Sequence, residues 1–391
     1  MAKEPGRDKA VFDAHRGGKI EIALKAPVDD ADDLSIIYTP GVAKVSQAIA
    51  DDVDRSFDFT MKSNAVAIVS DGSAVLGLGD VGPEAALPVM EGKAALFKRF
   101  SGIDAFPICI RSAESSEMIA TVKAIAPGFG AVNLEDISAP GCFEVEDALH
   151  RELDIPVFHD DQHGTAVVVM AALRNSLKIV AKELQETKVV LSGGGAAGIA
   201  CAKVLDAAGV ADLIAVDSNG VIHEGRDDLN PQKRWLAQNS NRRAVTGGLS
   251  DALRDSDVFI GVSSPGILDP GDLADMADDP IIFALANPDP EIRPEDAKGQ
   301  ARIVATGRSD YPNQINNALC FPGFFKGLLE ARAVEINEEM KLAAADALAD
   351  LVPEGELSED HIITSIFDAR VVPAISKAVA GAAAETGATR P

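Results

Sequence analysis

Short apolar runs alternate with amphipathic stretches along most of the chain. AVAIVSDGSAVLGLG (65–79) reads as a hairpin turning at Asp71-Gly72. DAFPICI (104–110), GAVNLEDI (130–137) and IPVFHDD (155–161) are apolar runs of strand length, separated by the helical patterns SSEMIATVKAIA (115–126) and CFEVEDALHREL (142–153). Strand–helix–strand–helix–strand implies a parallel sheet with right-handed crossovers. A long helix is predicted from about Thr165 through Asn175 to about Leu184. A second alternating series follows, with strands KVVLSG (188–193), DLIAVDS (212–218), DVFIGV (257–262), PIIFALA (280–286) and ARIVATG (301–307). The tail from about Phe324 is rich in Ala, Glu and Leu and reads as helices. The fold class is therefore α/β, with a parallel-sheet domain over 1–163 and a doubly wound domain with a helical tail over 164–391.

Composition narrows the partners. With 61 acidic against 36 basic residues the 391-residue chain carries a formal charge of −25, which repels nucleic acid and anionic membranes. Cys109, Cys142, Cys201 and Cys320 are scattered, with no C-x-x-C pair, arguing for a reducing compartment. The start, MAKEPGRDKAVFDAHRGG, lacks the apolar core of a secretory signal, and no apolar run approaches the ~20 residues that span a bilayer. The expected location is the cytoplasm.

Candidate chemistry gathers at the strand ends. His159 and His163, four apart, approach the H-E-x-x-H zinc pattern, but His159 is expected to end a strand and His163 to lie in the turn before a helix. Zinc histidines of that motif must share a helix face, so zinc hydrolysis is set aside. Glu135-Asp136 closes one predicted strand and Asp160-Asp161 the next, with one crossover helix between. Carboxylates converging in one crevice repel unless a hard cation such as Mg²⁺ or Mn²⁺ sits among them. The competing reading is that these acids cap the helices that follow; spacing alone leaves both open.

VVLSGGGAAGIACAKVLDAAG (189–209) places Gly193, Gly195 and Gly198 as G-x-G-x-x-G between a strand and a helix. Ala196, Ala197 and Ile199 complete the turn and first helical residues, where a pyrophosphate would sit on free N–H groups. Asp217 ends the next strand nineteen residues after Gly198, the position that accepts from a ribose 2′-OH and favours NAD. Ser263, Asn287 and Thr306 stand at further strand ends of this Rossmann-type unit, Asn287 as a contact near the nicotinamide ribose.

At this point the chain resembles the short bacterial malic enzymes over nearly its whole length. The matching stretches are IIYTPGVAKV (36–45), VLGLGDVGPEAALPVMEGKAALFKRFSGIDAFPI (75–108), NLEDISAP (133–140), HDDQHGTA (159–166), FALANPDPEI (283–292) and GRSDYPNQINNALCFPG (307–323). The resemblance implies oxidative decarboxylation of (S)-malate to pyruvate and CO₂ with reduction of NAD or NADP, dependent on Mg²⁺ or Mn²⁺. It implies Glu135, Asp136 and Asp161 as metal ligands, with Asp160 in support. Lys93 and Tyr38 match the family's catalytic lysine and tyrosine; Asn287 and Asn317, with Lys93, match substrate or cofactor contacts. Lys93 would take the C2 hydroxyl proton, for which it must be neutral; burial or the nearby cation would lower its pKa from ~10.4. Tyr38 would protonate C3. A homodimer is implied, with Tyr38 or Lys93 completing a neighbour's site.

Two departures stand out. Longer family members carry a malate-gripping arginine where this chain has Ala74, so the second carboxylate needs other donors, such as Asn317, Asn287 or the Ser309 region. Asp217-Ser218-Asn219 has no adjacent arginine or lysine for a 2′-phosphate, although short relatives with a similar Asp use NADP; Arg226 or Arg242 would have to supply the charge. The chain ends at ATRP, so regulation through a fused acyltransferase-like domain is not expected. The rival readings are a metal-independent, non-decarboxylating dehydrogenase of a hydroxy or amino acid, and a nucleotide-sensing module.

Overall fold

AVAIVS, continuously apolar until its last residue, becomes an interior strand because parallel strands are covered on both faces. In the computed structural model, which describes residues 7–75, 77–112 and 114–390, it is β1 (Ala65–Ser70), buried at every position. Its neighbours are both parallel: β2 (Asp104–Cys109) on one side and β3 (Ala131–Leu134) on the other. With β4 (Val157–His159) they form a four-stranded sheet in the order β2-β1-β3-β4. The expected hairpin over 65–79 is therefore wrong. Residues 71–75 and 77–82 lie in a loop instead, closed where Val81 and Gly82 donate backbone N–H groups to the Gly72 carbonyl, with a bridge between Val75 and Gly79. Leu76, inside that expected hairpin, lies outside the described residues. A hairpin partner would have occupied the edge of β1 that β2 or β3 takes.

Among the described residues, the α-helices α1 (Arg7–His15), α2 (Ala31–Ile37), α3 (Val42–Asp51) and α4 (Ser56–Phe59) precede β1. Asp30 caps α2 by accepting from the Asp32 and Asp33 N–H groups. No residue of α1, α2 or α3 is buried, yet this arm presents Phe12, Ile22, Leu24, Ile36 and Tyr38 to solvent. The crossovers of the first sheet are α5 (Pro83–Leu96), α6 (Ser115–Ile125) and α7 (Gly141–Glu152).

The long helix, α8, runs Asp160–Val180, so it begins five residues before the predicted start and ends four before the predicted end. The chain passes from β4 into the helix without a loop. Asp160 and Asp161 occupy the first turn, where the positive end of the helix dipole favours them, and do not extend the strand. Gly164, which looks like a helix breaker, is inside α8 because a Cβ there would collide with the Asp160 carboxylate.

The second sheet has the order β10-β9-β8-β5-β6-β7. Its strands β5 (Lys188–Ser192), β6 (Asp212–Asp217), β8 (Val258–Gly261), β9 (Ile281–Ala284) and β10 (Ile303–Thr306) are parallel, and only β7 (Gly220–Val221) runs against its neighbour. The helices α9 (Ala196–Ala207), α10 (Pro231–Asn239), α11 (Leu249–Leu253), α12 (Pro270–Leu273) and α13 (Pro294–Ala297) lie between them in the chain. The tail forms α14 (Phe321–Glu330), α15 (Glu338–Ala349) and α16 (Val371–Glu385), with α15 packed on α8. One hydrophobic core runs from β1 and β4 through α8 to α9 and β5; a second covers the other face of the larger sheet around Val190, Ile214, Phe259 and Ile282. Among the described residues no helix is long and apolar enough to cross a membrane.

Asn175, fully buried in α8, donates to the carbonyls of Ala349 and Ile362, both at 2.9 Å, and so pins the tail to the shared helix. Asn175→Ala removes both bonds, leaving the Ala349 carbonyl with only the Val352 N–H and the Ile362 carbonyl without its Asn175 donor, and is expected to destabilise the protein by about 1–3 kcal/mol, read as a lower midpoint of urea unfolding.

Candidate active site

β3 and β4 are adjacent and in register, with Leu134 opposite His159, so the residues that follow each strand emerge side by side. Asp136 takes a left-handed backbone (φ 53°), a conformation uncommon outside glycine. Its N–H donates to Asp161 Oδ2 at 2.9 Å and its carbonyl accepts from the Ala74 N–H at 2.9 Å. Oxygens of Glu135, Asp136 and Asp161 lie within 4.8 Å of one another. The helix-cap reading fails for Glu135 and Asp136, since the next helix, α7, starts only at Gly141.

The electrostatics are those of crowded acids. Burial pushes Glu135 well above the usual carboxylate range, opposed by Lys93 and reinforced by Asp161, Asp160 and Asp136. Burial and then Asp161 push Asp136 up to about 7, and burial against the pull of Lys93 leaves Asp160 at about 6. Asp136 Oδ2 and Asp160 Oδ1 are buried without a hydrogen-bond partner. An oxygen-only set of mutually repelling carboxylates, with Asp136 Oδ2 buried and unpartnered, fits a hard divalent cation on Glu135, Asp136 and Asp161. Asp160 points elsewhere.

Lys93, near the end of α5, is only 7% exposed, and its ammonium pairs with both Glu135 Oε1 and Asp160 Oδ2. The helix continues into a π turn over Phe97–Ser101, and the Phe321 ring lies 4.6 Å from Nζ. Contrary to the expected lowering, the Lys93 pKa is raised. Burial alone would lower it, but Asp160, Glu135 and Asp161 hold it above the ordinary lysine range. The expectation counted desolvation without the acids that surround the ammonium.

The other expected residues are spread out. Tyr38 stands at the end of α2, 65% exposed, and makes none of the contacts found around Lys93. Asn317 opens a short turn beside Asp160, its Cβ 3.1 Å from the position a Cβ on Gly164 would take. Asn287 follows β9 and donates to the Leu285 carbonyl at 3.2 Å. His163 lies inside α8, not in a preceding turn as expected, and its ring meets Glu146. The carboxylate group that could hold a metal contains no histidine among the described residues. Sequence reasoning missed Asn133, whose amide donates to Glu135 Oε2 at 2.9 Å; a polar residue inside the apolar run AVNL was the available signal. It also missed Cys320 and Phe321 beside Lys93, which carry no such signal.

The glycine motif forms the turn from β5 into α9. Gly193 has φ 133°, and a Cβ on Gly198 would strike the Gly193 carbonyl, so both glycines are required by the backbone. Above the turn lies a cavity of about 700 Å³, lined by Gly193, Gly194, Gly195, Asp217 and Ser263 and reaching Pro140, four residues beyond Asp136. Ala196 and Ala197 sit half-buried in the first turn of α9, whereas the Ile199 side chain is in the core. Thr306 is buried at the end of β10 and accepts from the Arg308 N–H.

Asp217 is not the lone ribose acceptor the motif suggested. Arg226 grips both its oxygens at 2.8 and 3.1 Å, and Lys233 Nζ reaches Oδ2 at 2.6 Å. Burial raises its pKa, but these two cations bring it below the usual value. Of the two arginines expected to supply charge, Arg226 folds back onto Asp217, and Lys233, sixteen residues on and not foreseen, is delivered by α10. Arg242 is spent on the Ala211 carbonyl instead.

Comparison with known proteins adds to this geometry. Residues 17–116 match the family described as malic enzyme, N-terminal domain, and residues 162–387 the one described as malic enzyme, NAD binding domain. The NAD-dependent malic enzyme of Geobacillus stearothermophilus is 60% identical over 97% of this chain and 79% of its own length. The bifunctional malic/malolactic enzyme of Bacillus subtilis is 55% identical over 95% of this chain and 92% of its own length. The crystal structure of the NAD-dependent malic enzyme of Thermotoga maritima superposes with a TM-score of 0.92 at 48% identity, covering 95% of this chain and 98% of that one.

A cation entering the acidic cluster competes with the proton on Asp136. Mn²⁺ affinity, followed by titration calorimetry, is expected to rise as the pH is raised through about 7, with proton release on binding below that point. An affinity that stays flat across this interval contradicts the assignment.

Proposed function

The chain belongs to the malic enzyme family, and from that premise we propose that its acidic crevice oxidises and decarboxylates (S)-malate to pyruvate and CO₂, reducing a nicotinamide dinucleotide. The observation that carries the reading is the convergence of Glu135, Asp136 and Asp161, whose oxygens lie within 4.8 Å of one another, with Lys93 paired to Glu135. The three carboxylates would hold Mg²⁺ or Mn²⁺, which when bound supplies Lewis-acid polarisation of the oxygen on C2.

The chain's own residues account for the remaining work. Lys93 would accept the C2 hydroxyl proton as hydride passes to the nicotinamide. It stays an ammonium only while Glu135, Asp160 and Asp161 face it uncompensated, so positive charge taken up by those acids favours its neutral form. The apolar wall of Phe321, Phe97 and Phe325, with ring centroids 4.7 and 5.2 Å apart, excludes water behind it. Asp160 holds Lys93 in place through Nζ. Asn287 and Asn317 supply neutral donors for substrate or cofactor. After the C3–C4 bond breaks and CO₂ leaves, C3 must be protonated, and Tyr38 is the donor assigned to it.

Tyr38 and the exposed apolar side chains of the arm support a homodimer, in which the arm covers a second copy and Tyr38 completes the partner's site. Four free thiols, three of them buried, favour the reducing cytoplasm. For the cofactor, Asp217 supports NAD, while Arg226 and Lys233 on the same carboxylate would let a 2′-phosphate in as well.

Malate, Mn²⁺ and NAD are expected to give pyruvate and reduced cofactor in equal amounts, abolished by a chelator and by Lys93→Ala. Reduced cofactor without pyruvate would overturn the reading. Mixing Lys93→Ala with Tyr38→Phe is expected to restore up to about a quarter of wild-type activity, because half of randomly mixed dimers carry one intact site. No recovery would place Tyr38 in its own subunit's site or outside the mechanism. Lys233→Ala is expected to lower kcat/KM for NADP about tenfold and to leave NAD within about twofold, the loss of one charge-assisted bond.

A further inference from the structure

A second buried acid lies outside the site just described. Glu146, on α7, is fully enclosed and touches neither Lys93 nor the three clustered carboxylates. Its oxygens accept three hydrogen bonds, all from the turn where β4 becomes α8. Oε1 takes the His159 backbone N–H at 3.1 Å and the His163 ring Nε2 at 2.8 Å, and Oε2 takes the Gln162 amide at 3.0 Å. The donors flank Asp160 and Asp161 on both sides.

This turn has reason to need holding. The N-cap residue of α8 is His159, whose side chain makes no cap hydrogen bond. The first turn carries two acids that aim away from each other, Asp160 toward Lys93 and Asp161 toward the Asp136 N–H. With no loop between strand and helix, a small rotation of the first turn would move both. Glu146 replaces the missing cap from a neighbouring helix and grips both the strand end and the helix start. The His163 ring it holds also packs on Phe158, centroid to centroid 5.5 Å, at the penultimate residue of β4. The His159 ring is wholly buried, with neither nitrogen hydrogen-bonded and Nδ1 3.8 Å from Asp161 Oδ2, so it backs the carboxylate that the turn presents.

Resting on the proposed role of Asp161 as a cation ligand, we infer that Glu146 is a positioning residue for the metal centre: its three hydrogen bonds to residues 159, 162 and 163 set the first turn of α8 so that Asp161 joins Glu135 and Asp136. It touches neither substrate nor cofactor. Its effect should therefore fall on cation affinity and leave nucleotide binding alone, because the glycine loop hangs on a different sheet.

The test measures Mn²⁺ dissociation constants from the spin-resonance signal of free Mn²⁺ in the full-length protein without substrate. NAD affinity and thermal stability are read in parallel. Asp161→Asn is expected to abolish Mn²⁺ binding; if it does not, the reading of the acidic centre fails, whatever Glu146 does. Given that control, Glu146→Leu is expected to weaken Mn²⁺ binding by about 10- to 100-fold with NAD affinity unchanged. Glu146→Gln, whose amide oxygen still accepts from His159 and His163, should recover to within about threefold. Wild-type Mn²⁺ affinity in Glu146→Leu, or equal loss of Mn²⁺ and NAD binding, overturns the proposal. Should Glu146→Leu fail to fold, Gln162→Leu and His163→Leu each remove one donor and keep the carboxylate. Both are expected to weaken Mn²⁺ binding selectively, and wild-type affinity in both overturns it equally.

Discussion

Like charges brought together out of water govern this molecule. Glu135, Asp136, Asp160 and Asp161 meet at the ends of two adjacent strands, three of them buried, and among the described residues Lys93 is the lysine or arginine paired with them. One ammonium cannot balance four carboxylates; burial first, and then the surplus negative charge, raise the pKa values of Glu135, Asp136 and Asp160, and two buried oxygens have no partner. A folded protein keeps such an arrangement only where something else compensates it in use. The site's demand for further positive charge follows from that imbalance, and so does the protonated state of its lysine.

The architecture supplies the crowding. Parallel strands all end on the same edge, so β3 and β4 deliver their acids to one crevice, and β5 delivers its glycine turn to the crevice of the next sheet. Helix α8 connects the two. Its first turn carries Asp160 and Asp161, its body is buried between both halves, and its last turns are tied to the tail through Asn175. Chemistry, core and C-terminal helices thus share one element, and a single hydrophobic core runs through it.

Compensation recurs at the nucleotide end in a different form. Asp217, the acid that the motif offers to a ribose, is already neutralised by Arg226 and Lys233. The subsite is therefore less negative than its sequence suggests. At the opposite extreme, the arm of α1 to α3 leaves its apolar side chains uncovered, with Tyr38 among them.

Local pattern sufficed for whatever depends on a short stretch of chain. The parallel α/β class, the strands from DAFPICI to ARIVATG, and the glycine turn were legible because burial on two faces and backbone constraints write themselves into runs of a few residues. The pairing of acids at positions 135, 136 and 161 was readable as one of two options, since strand ends in a parallel sheet share an edge. What the sequence could not decide were matters of contact between distant segments. A strand at 65–70 has no hairpin because β2 and β3, paired through Asp104 and Ala131 far along the chain, claim both its edges. Asp160 belongs to a helix and to Lys93, not to the strand that it follows, because the turn is held by Glu146 from another helix. Lys93 is an ammonium because three acids from two strand ends surround it, and Asp217 is shielded because α10 folds back over the glycine loop. Charge and burial are sums over everything nearby, and only the tertiary fold determines what is near.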